Sequence, residues 1–568
     1  MNSQASGVGK DYSAFIFWTM AVFILFWGLG GRQFYVAEGR WAEITREMFL
    51  KHDFFHPTIN WEPYFDKPLL SYWLIALVSL ITGALNEWSL RLPSAVAGVL
   101  SLWATIDLGR RLWSKEVGRT AGWILLTAYG IIFWARTGVS DVENLAAIIL
   151  AVAWYWSRRD GLEKMKGMDA FFTCLVFYLI CFVGAHAKGL TSLVIPIIAL
   201  IPDLFRKSRW RVLFTPGHIL ALTIGLVIYL APFVYAALTT GNYNENGLAL
   251  VFQENVQRYF EPFDHKEPFY VYFYYLPLLF MPWTPLLAGA IIKVSASWRQ
   301  LDEKTKWLLT AFFLIFLFFT ASGSRRSYYI LPIFPFSALL VAVFLQGEYG
   351  WKRAILGIQT GIVLLASIIE VLSPGVMYFM GRHLEFHVPF DFVIATVAIG
   401  LLALLLLVLI RTSPRILISI SGIGPRIAPL ALSVAVIMGG LFCVQLNILD
   451  RFRTERAFIN EIHQEMPGIP QSSIAFYPKT ITNLVFYLDV PGRIKILKDT
   501  DAVRSFLSKD SGGKLIITTR RYANELSQVL PGDIAKNPTV EETINPWEKS
   551  KGKLESKHVA WLIKGIGE

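Results

Sequence analysis

Apolar residues dominate the first 450 positions of the chain and fall in runs of the length that a membrane span requires. A helix needs about 20 predominantly apolar residues to cross roughly 30 Å of hydrocarbon. The pattern therefore predicts about thirteen membrane-spanning helices. The predicted spans are 13–31, 91–109, 120–135, 143–157, 170–187, 189–204, 216–237, 269–291, 307–321, 328–346, 353–373, 389–410 and 428–447.

Lysine and arginine are concentrated in every second connection between these spans. By the positive-inside rule, such connections lie in the cytoplasm. The N-terminus is then cytoplasmic, and the C-terminus lies on the outer face because the number of spans is odd. The basic connections are 109–119, 158–169, 205–213, 292–306, 347–353 and 411–426.

The apolar run 68–84 is predicted to lie in or near the outer membrane interface instead of crossing the bilayer. If it crossed, the basic connection 109–119 would lie outside, against the charge rule. Residues 32–90 are therefore expected to form one large outer loop with interfacial helices.

Residues 448–568 differ because their apolar runs shorten to the length of strands. The strand-like and helix-like segments, in order, are 472–477, 493–497, 499–509, 514–519, 520–530 and 558–563. This alternation predicts a small α/β domain, and the charge rule places it on the outer face. The predicted fold class is mainly α, with a polytopic membrane domain at 1–447 followed by an extracytoplasmic α/β domain at 448–568.

Composition agrees with a membrane protein, since 54% of the residues are hydrophobic and only 17% are charged. The formal net charge of +11 is explained by basic residues retained in cytoplasmic loops. The sequence has no basic stripe interleaved with aromatic residues, so we expect no nucleic-acid partner. No P-loop and no G-x-G-x-x-G after a strand is present. Asp499-Thr500-Asp501 is interpreted as a capped helix start, so no nucleotide cofactor is expected.

Ionisable residues gather in the outer connections, and the first outer loop is the richest. Glu38 and Arg40 precede the body of a predicted helix near the bilayer surface, where we favour a functional role. Glu43 and Arg46 have the i,i+3 spacing of a stabilising pair. Arg46 and Glu47 are interpreted as part of a solvated amphipathic helix.

The first outer loop ends with Tyr64-Phe65-Asp66-Lys67-Pro68, in which the proline favours an extended turn before it. Lys67 has two interpretations. It is either an anchor that snorkels to the interface or a point charge that binds a lipid phosphate.

Asp141 and Lys188 each stand beside a predicted span. A carboxylate near membrane depth is costly, so Asp141 is either a functional residue or the N-cap of the fourth span. Lys188 precedes Gly189 in a tight break between two spans and either snorkels or faces a headgroup.

The later outer loops contribute Arg258, His265 and Arg325. A single histidine is more often a surface residue than a metal ligand, but beside Asp66 it would complete an oxygen/nitrogen metal site. Arg325 lies outside against the charge bias, and guanidinium groups are well suited to phosphate.

Taken in order, the motifs resemble those of the ArnT-like lipid-linked-sugar glycosyltransferases of the GT-C superfamily, which are related to protein O-mannosyltransferases. The resemblance rests on AEGRWAEITREM, YFDKP followed by YW, N-x-x-x-x-RLPSA at 86–95, AKG, NVQR-F and SRRSYYILP. The resemblance covers residues 12–345 at the level of sequence and the remaining residues only in architecture. The motifs are specific for the superfamily but identify the substrate only weakly. The family topology of thirteen spans with an outward soluble C-terminal domain agrees with the charge pattern.

The resemblance implies a multi-pass glycosyltransferase of the bacterial inner membrane. It implies transfer of a sugar from an undecaprenyl-phosphate carrier, with inversion, to a periplasmic acceptor such as lipid A or lipopolysaccharide, without a nucleotide donor. Carried over by motif, the catalytic carboxylates are Glu38 and Asp141, the substrate-binding residues are Arg40, Tyr64, Lys67, Lys188, Arg258 and Arg325, and the ligands of a divalent metal ion are Asp66 and His265.

Two departures from the family pattern leave alternatives open. The family signature begins Asp-Glu, whereas Ala37 stands at the Asp position, so either Glu38 or Asp141 supplies the carboxylate. Asp66 replaces a usual Glu. The rival interpretations are a protein O-mannosyltransferase-like enzyme, a non-catalytic binder of lipid-linked sugar, and a transporter. Polar residues grouped at one face instead of the midplane disfavour a transporter.

Overall fold

The computed structural model describes most of the chain between residues 12 and 563. Within that range the residues not described are 36, 66, 163–166, 207–208, 240–248, 250–252, 254–256, 262–264, 348–350, 385–386, 413, 468–469, 510–511, 531, 533–536 and 549.

Helices form the bulk of the described chain. The first ten longer helices are α1 (Ser13–Phe26), α2 (Glu38–Lys51), α3 (Leu70–Thr82), α4 (Glu87–Leu112), α5 (Lys115–Leu126), α6 (Tyr129–Ala135), α7 (Asp141–Leu162), α8 (Met168–Lys188), α9 (Thr191–Arg206) and α10 (Pro216–Thr239). The later apolar helices are Val271–Leu279, Thr284–Ala296, Glu303–Ala321, Phe334–Gln346, Lys352–Leu384, Phe390–Thr412, Pro414–Ser421 and Ala428–Gly440.

Each of the thirteen predicted spans coincides with one helix or with an interrupted pair of helices. The span predicted at 120–135 is divided between α5 and α6, and the one at 269–291 is interrupted where Pro282 cannot continue a helix. Among the described residues, eight helices are long and apolar enough to cross a membrane by length and composition. The prediction of a mainly α, polytopic membrane fold is confirmed.

Helix α3 confirms the helix predicted at 68–84. Leu77, Leu80 and Ile81 are exposed, while Tyr72 and Ile75 are buried, so α3 packs one face on the protein and presents an apolar face outward. An interfacial location fits this division of its surface and stays a prediction.

The C-terminal region contains a five-stranded mixed sheet. Its strands, numbered in chain order, are arranged as β2 (Lys495–Ile496), β1 (Ile474–Phe476), β3 (Lys514–Thr519), β5 (His558–Ile563) and β4 (Val540–Glu541), with β1 parallel to both β2 and β3. Leu515 and Ile517 pack into one apolar cluster and Ile516 into another, because successive side chains of a strand point to opposite faces. The sheet therefore carries an apolar core on each face.

The strands and helices predicted for the C-terminal region are confirmed, including the helix start at Asp499. The Asp499 carboxylate accepts a hydrogen bond from the backbone N–H of Ala502 at 2.8 Å, which is the N-cap contact expected from the sequence. The domain boundary between residues 447 and 448 stays a prediction.

Helix α2 is almost entirely buried, so the prediction of a solvated helix at Arg46 and Glu47 is wrong. Arg46 bonds Glu43 within the helix and reaches Asp489 at 3.2 Å and the Val490 carbonyl at 3.0 Å in the C-terminal region. A Cβ on Gly39 would lie 2.0 Å from Asn483, so glycine allows the two segments to meet. The C-terminal region thus buries the polar face of α2, which would otherwise be exposed to solvent.

Candidate active site

A cavity opens where the last turn of α8 meets the first turns of α7 and α9. Its other walls are the start of the segment leading to α3, the helical turn Arg258–Phe260 and the segment from Phe318 to Pro332. Four residues singled out from the sequence line this one cavity, although they come from four separate segments: Lys67, Asp141, Lys188 and Arg258.

Asp141 and Lys188 form an ion pair inside the cavity. Asp141 is the first residue of α7, Lys188 is the last residue of α8, and the lysine Nζ contacts carboxylate Oδ1. A carboxylate at a helix N-terminus and an ammonium at a helix C-terminus are both favoured by the helix dipole. The left-handed φ of 105° at Gly189 turns the chain directly after Lys188, as the predicted tight break requires.

Two tyrosines form an aromatic wall beside this pair. The Lys188 ammonium lies 4.9 Å from the ring centroid of Tyr328 and 4.5 Å from that of Tyr329. A cation over a ring face is attracted by the ring quadrupole, and more strongly where water is excluded. Lys188 is therefore held in place by a carboxylate and two rings.

The cavity carries an excess of positive charge. Lys67 and Arg258 lie close enough to Lys188 for their charges to repel it, and Asp141 is the one carboxylate among the described lining residues. Arg40 and Arg258 also act electrostatically on Tyr328. Among the described lining residues three cations face one carboxylate, and this excess of positive charge favours an anionic group such as phosphate.

Arg40 and Tyr64 meet at the edge of this region. Nη1 of Arg40 donates to the Tyr64 hydroxyl at 2.9 Å, and the guanidinium lies 5.7 Å from the Tyr64 ring centroid. Their contact joins the first turn of α2 to the segment that leads to Lys67. The described lining of the cavity includes neither residue.

Glu38 lies outside the cavity lining and is fully engaged elsewhere. Its carboxylate accepts four hydrogen bonds, from Nε and Nη2 of Arg91 at 2.8 and 2.7 Å and from the backbone N–H groups of Gly138 and Tyr35 at 2.7 and 2.8 Å. Burial alone would raise the pKa of Glu38, but the Arg91 charge and these hydrogen bonds lower it overall. A carboxylate with a lowered pKa and no spare lone pair is a poor proton acceptor.

Arg325 is likewise occupied by the backbone. Its Nη1 donates to the Glu267 carbonyl at 2.6 Å, its Nη2 donates to the Thr320 carbonyl at 3.1 Å, and its backbone N–H donates to the His265 carbonyl at 2.9 Å. These bonds join the loop after Arg258 to the end of helix Glu303–Ala321. The described cavity lining does not include Arg325, so nothing in this geometry supports its predicted contact with phosphate.

The predicted metal ligands are only partly described. His265 is half-buried with a left-handed φ of 55°, whereas Asp66 lies outside the described residues. Among the described residues, no group of three or more histidine, cysteine, aspartate and glutamate side chains is placed to hold a metal ion. The described donor set therefore does not by itself fit a metal centre.

Some residues of this region were not selected from the sequence. Arg91 belongs to the RLPSA motif, and Tyr328 and Tyr329 belong to SRRSYYILP, so their motifs were noticed but their roles were not. Asn144 and Thr191 line the cavity and bond each other at 3.1 Å, and no sequence signal pointed to them.

Comparisons with known proteins agree with the motifs. The family model of dolichyl-phosphate-mannose-protein mannosyltransferases matches residues 66–235. Undecaprenyl phosphate-alpha-4-amino-4-deoxy-L-arabinose arabinosyl transferases are 28% identical in Enterobacter sp. (strain 638) and 30% identical in Aeromonas salmonicida, and each match covers 54% of this chain and 54% of the relative. The chain thus spans about half of the length of the relatives it matches.

Solved structures extend the similarity to the whole chain. The crystal structure of ArnT from Cupriavidus metallidurans bound to undecaprenyl phosphate has a TM-score of 0.75 and 19% identity, with 98% of both chains covered. The apo structure of the same protein has a TM-score of 0.68 and 18% identity, with 97% of both chains covered. At this identity the likeness establishes the fold. The ordered motifs, the sequence relatives and the shared fold together confirm the resemblance of this chain to the ArnT-like membrane proteins of the GT-C superfamily.

Proposed function

We propose that this chain is an integral membrane glycosyltransferase that moves a sugar from a polyprenyl-phosphate carrier to a cell-envelope acceptor such as lipid A. The proposal rests chiefly on the cavity that brings Lys67, Lys188 and Arg258 together around Asp141. The relatives named for aminoarabinose transfer, and the related protein whose structure contains undecaprenyl phosphate, support this choice of carrier.

In the proposed reaction the three cations bind the carrier phosphate. The bond between the anomeric carbon and the phosphate oxygen breaks while the acceptor oxygen attacks that carbon. Negative charge then grows on the departing phosphate, and preorganised cations in a partly desolvated cavity stabilise it. Lys67, Lys188 and Arg258 are supplied by separate segments, so together they fix the phosphate in position as well as neutralising it.

Asp141 is the better placed of the two carboxylates for accepting the proton of the acceptor hydroxyl. Lys188 binds Oδ1, and no hydrogen bond from the described residues occupies Oδ2. A general base accepts the proton through such an available carboxylate oxygen. Glu38 lacks such a free oxygen, so we assign it a structural role at this site.

A divalent metal ion is kept in the proposal only as a candidate that involves His265 and Asp66. We expect no nucleotide, because the carrier itself supplies the activated sugar.

We place the enzyme in the bacterial inner membrane with its N-terminus in the cytoplasm and its C-terminal α/β domain in the periplasm. The basic connections support this orientation, because they fall at the ends of the helices opposite to the cavity. Asp141 and Lys188 then open toward the periplasmic leaflet, where a lipid-linked donor and a glycolipid acceptor meet.

A protein O-mannosyltransferase-like activity is the second candidate. The match of residues 66–235 to the model of dolichyl-phosphate-mannose-protein mannosyltransferases favours it. The two candidates share the donor half of the mechanism and differ in the acceptor.

The discriminating experiment reconstitutes the full-length protein in liposomes with an undecaprenyl-phosphate-linked aminoarabinose donor and offers lipid A and a serine/threonine-rich peptide separately. We expect release of undecaprenyl phosphate with labelling of lipid A. Labelling of the peptide instead would select the second candidate. Carrier binding without donor consumption would indicate a non-catalytic binder, and movement of intact donor between leaflets would indicate a transporter.

A further inference from the structure

A second charged groove lies at the opposite end of the helices from the cavity around Asp141. It runs between α4, α7 and α8. On α4 its lining residues are Trp103, Asp107 and Arg111, spaced four apart, and on α7 they run from Leu150 to Arg158 with helical spacing. Helices α4 and α7 thus each contribute one continuous face, because residues three and four apart lie on the same side of a helix.

The groove changes from charged to apolar along its length. Arg111 is one residue from the end of α4 at Leu112, whereas Leu150 is twelve residues from the end of α7 at Leu162. The lining runs from Arg158 to Leu150 on α7, and at 1.5 Å per residue the groove is therefore about 12 Å long. Its inner walls are apolar at Leu150 and Ile180, and Trp103 is 51% exposed beside them.

Two arginines, Arg111 and Arg158, line the charged end of the groove. Nε of Arg111 donates to Asp107 at 2.5 Å, and Arg110 donates to the same carboxylate at 2.6 Å. The Arg158 guanidinium lies 4.9 Å from the ring of Trp154. Among the described residues, the Nη groups of Arg111 and Arg158 make no hydrogen bond to protein, so they are available to an outside acceptor. In the described part of this end, Arg110, Arg111 and Arg158 outnumber Asp107, which favours an anionic ligand.

We propose that this groove binds an anionic phospholipid of the cytoplasmic leaflet, with the headgroup phosphate on Arg111 and Arg158 and an acyl chain along Trp103, Leu150 and Ile180. Basic pockets between transmembrane helices on the cytoplasmic side are known to suit anionic headgroups. The groove matches both parts of such a lipid: its charged end suits a negative headgroup at the interface, and its apolar part, within a groove about 12 Å long, suits part of a hydrocarbon chain. This site does not depend on the reaction proposed for the other face.

The test is native mass spectrometry of the full-length protein in detergent, titrated with phosphatidylglycerol or phosphatidylethanolamine of the same chain length. We expect a clear preference for phosphatidylglycerol. Each arginine near an anionic lipid is worth about a fivefold change in affinity, so Arg111→Gln combined with Arg158→Gln should lower phosphatidylglycerol binding about 25-fold. Arg353→Gln, which removes another exposed arginine of a basic connection, is the matched control and should change nothing.

A second variant separates the groove from surface charge alone. Leu150→Trp fills the apolar part and leaves both arginines, so it should also abolish the preference if a chain lies there. Glycerol 3-phosphate, which has the headgroup charge without the chains, should not displace bound phosphatidylglycerol at equal concentration. Equal binding of the two phospholipids by the unmodified protein, or a preference retained by the double arginine variant, would overturn the proposal without affecting the glycosyltransferase assignment.

Discussion

Glu38 and Arg91 form a buried, bidentate ion pair in which every hydrogen-bonding group is used. The Glu38 carboxylate accepts hydrogen bonds from two of the five Arg91 N–H groups. The other three N–H groups donate to the backbone carbonyls of Leu29, Arg32 and Gln33 at 2.8, 2.9 and 3.0 Å. Glu38 also accepts the N–H of Gly138, three residues before Asp141. The pair therefore joins the end of α1, the start of α2, α4 and the loop that leads to the cavity.

Replacing Glu38 by Gln should destabilise the protein and should not act as the removal of a catalytic base. The change leaves the Arg91 charge buried without its partner, which typically costs about 3–5 kcal/mol of unfolding free energy. Chemical unfolding of the purified protein, followed by tryptophan fluorescence, measures the loss. Glu62→Gln, which removes an exposed ion pair with Arg493, is the control and should cost less than about 1 kcal/mol.

Activity per folded molecule distinguishes the structural role of Glu38 from the catalytic one. If Glu38→Gln retained full stability but lost turnover, the carboxylate would be acting in the reaction and our assignment of Asp141 would be contradicted.

Replacing Asp141 by Asn should lower kcat by about 10²- to 10⁴-fold, the usual contribution of a general base, because the amide cannot accept the acceptor proton. Binding of undecaprenyl phosphate should not weaken, since Lys188 keeps its charge and loses a competing anion. Turnover in liposomes and a binding titration measure the two effects. Asp391→Asn, which breaks an exposed pair with Arg451, should leave both unchanged. A loss of carrier binding equal to the loss in kcat would rule out the base role.

Arg258 and Arg325 should respond differently to the same substitution. Arg258→Gln removes a cation from the cavity wall and should weaken binding of undecaprenyl phosphate about 10- to 100-fold, as expected for hydrogen bonds to a charged group. Arg325→Gln should instead lower stability, because three backbone carbonyls lose their donor groups. Arg451→Gln serves as the control for an exposed outer arginine. Weaker carrier binding in a fully stable Arg325→Gln variant would restore Arg325 to the phosphate site.

The sequence predicted the membrane helices well and the polar contacts poorly, for different physical reasons. Span length is a local property, so the thirteen runs and the strand-like segments coincide with helices and strands. Burial of α2 depends on the segment from Asn483 to Val490, which is more than 400 residues away, and its own polar pattern cannot reveal that cover.

The candidate site shows the same limit. Motif order brought Lys67, Asp141, Lys188 and Arg258 forward as candidates, and the structure brings them together. Glu38 was selected because it lies in the AEGRWAEITREM motif. Its ion-pair partner Arg91 lies 53 residues away in the sequence, and this pairing determines the role of Glu38. A single sequence shows that a charge is present near the membrane and does not show which charge neutralises it.

The buried carboxyl groups of Glu43 and Glu47 on α2 predict that the free energy of unfolding depends on pH. Burial raises the pKa of Glu43 to about 7, partly offset by Arg46 and reinforced by Glu47, while Asp489 lies on the far side of Arg46. The folded state therefore binds this proton more tightly than the unfolded state. The contribution of Glu43 protonation to the free energy of unfolding is fully present below pH 4.5. It is lost as the pH rises through about 7, a change of up to about 3 kcal/mol.

Unfolding midpoints measured between pH 4.5 and 8 test this prediction. Glu43→Gln should flatten the pH profile in that window. Glu38→Gln should not, because the pKa of Glu38 is lowered and its titration falls below the window. An unchanged profile in Glu43→Gln would show that another group carries the dependence.

In the proposed mechanism Lys67, Lys188 and Arg258 hold the carrier phosphate beside Asp141. A cryo-EM structure of the full-length protein with undecaprenyl phosphate tests it most directly. We predict phosphate density within hydrogen-bonding distance of all three cations, with the isoprenoid chain leaving toward the bilayer. Phosphate bound against Arg325, or anywhere outside the cavity lined by Asp141, would contradict the account.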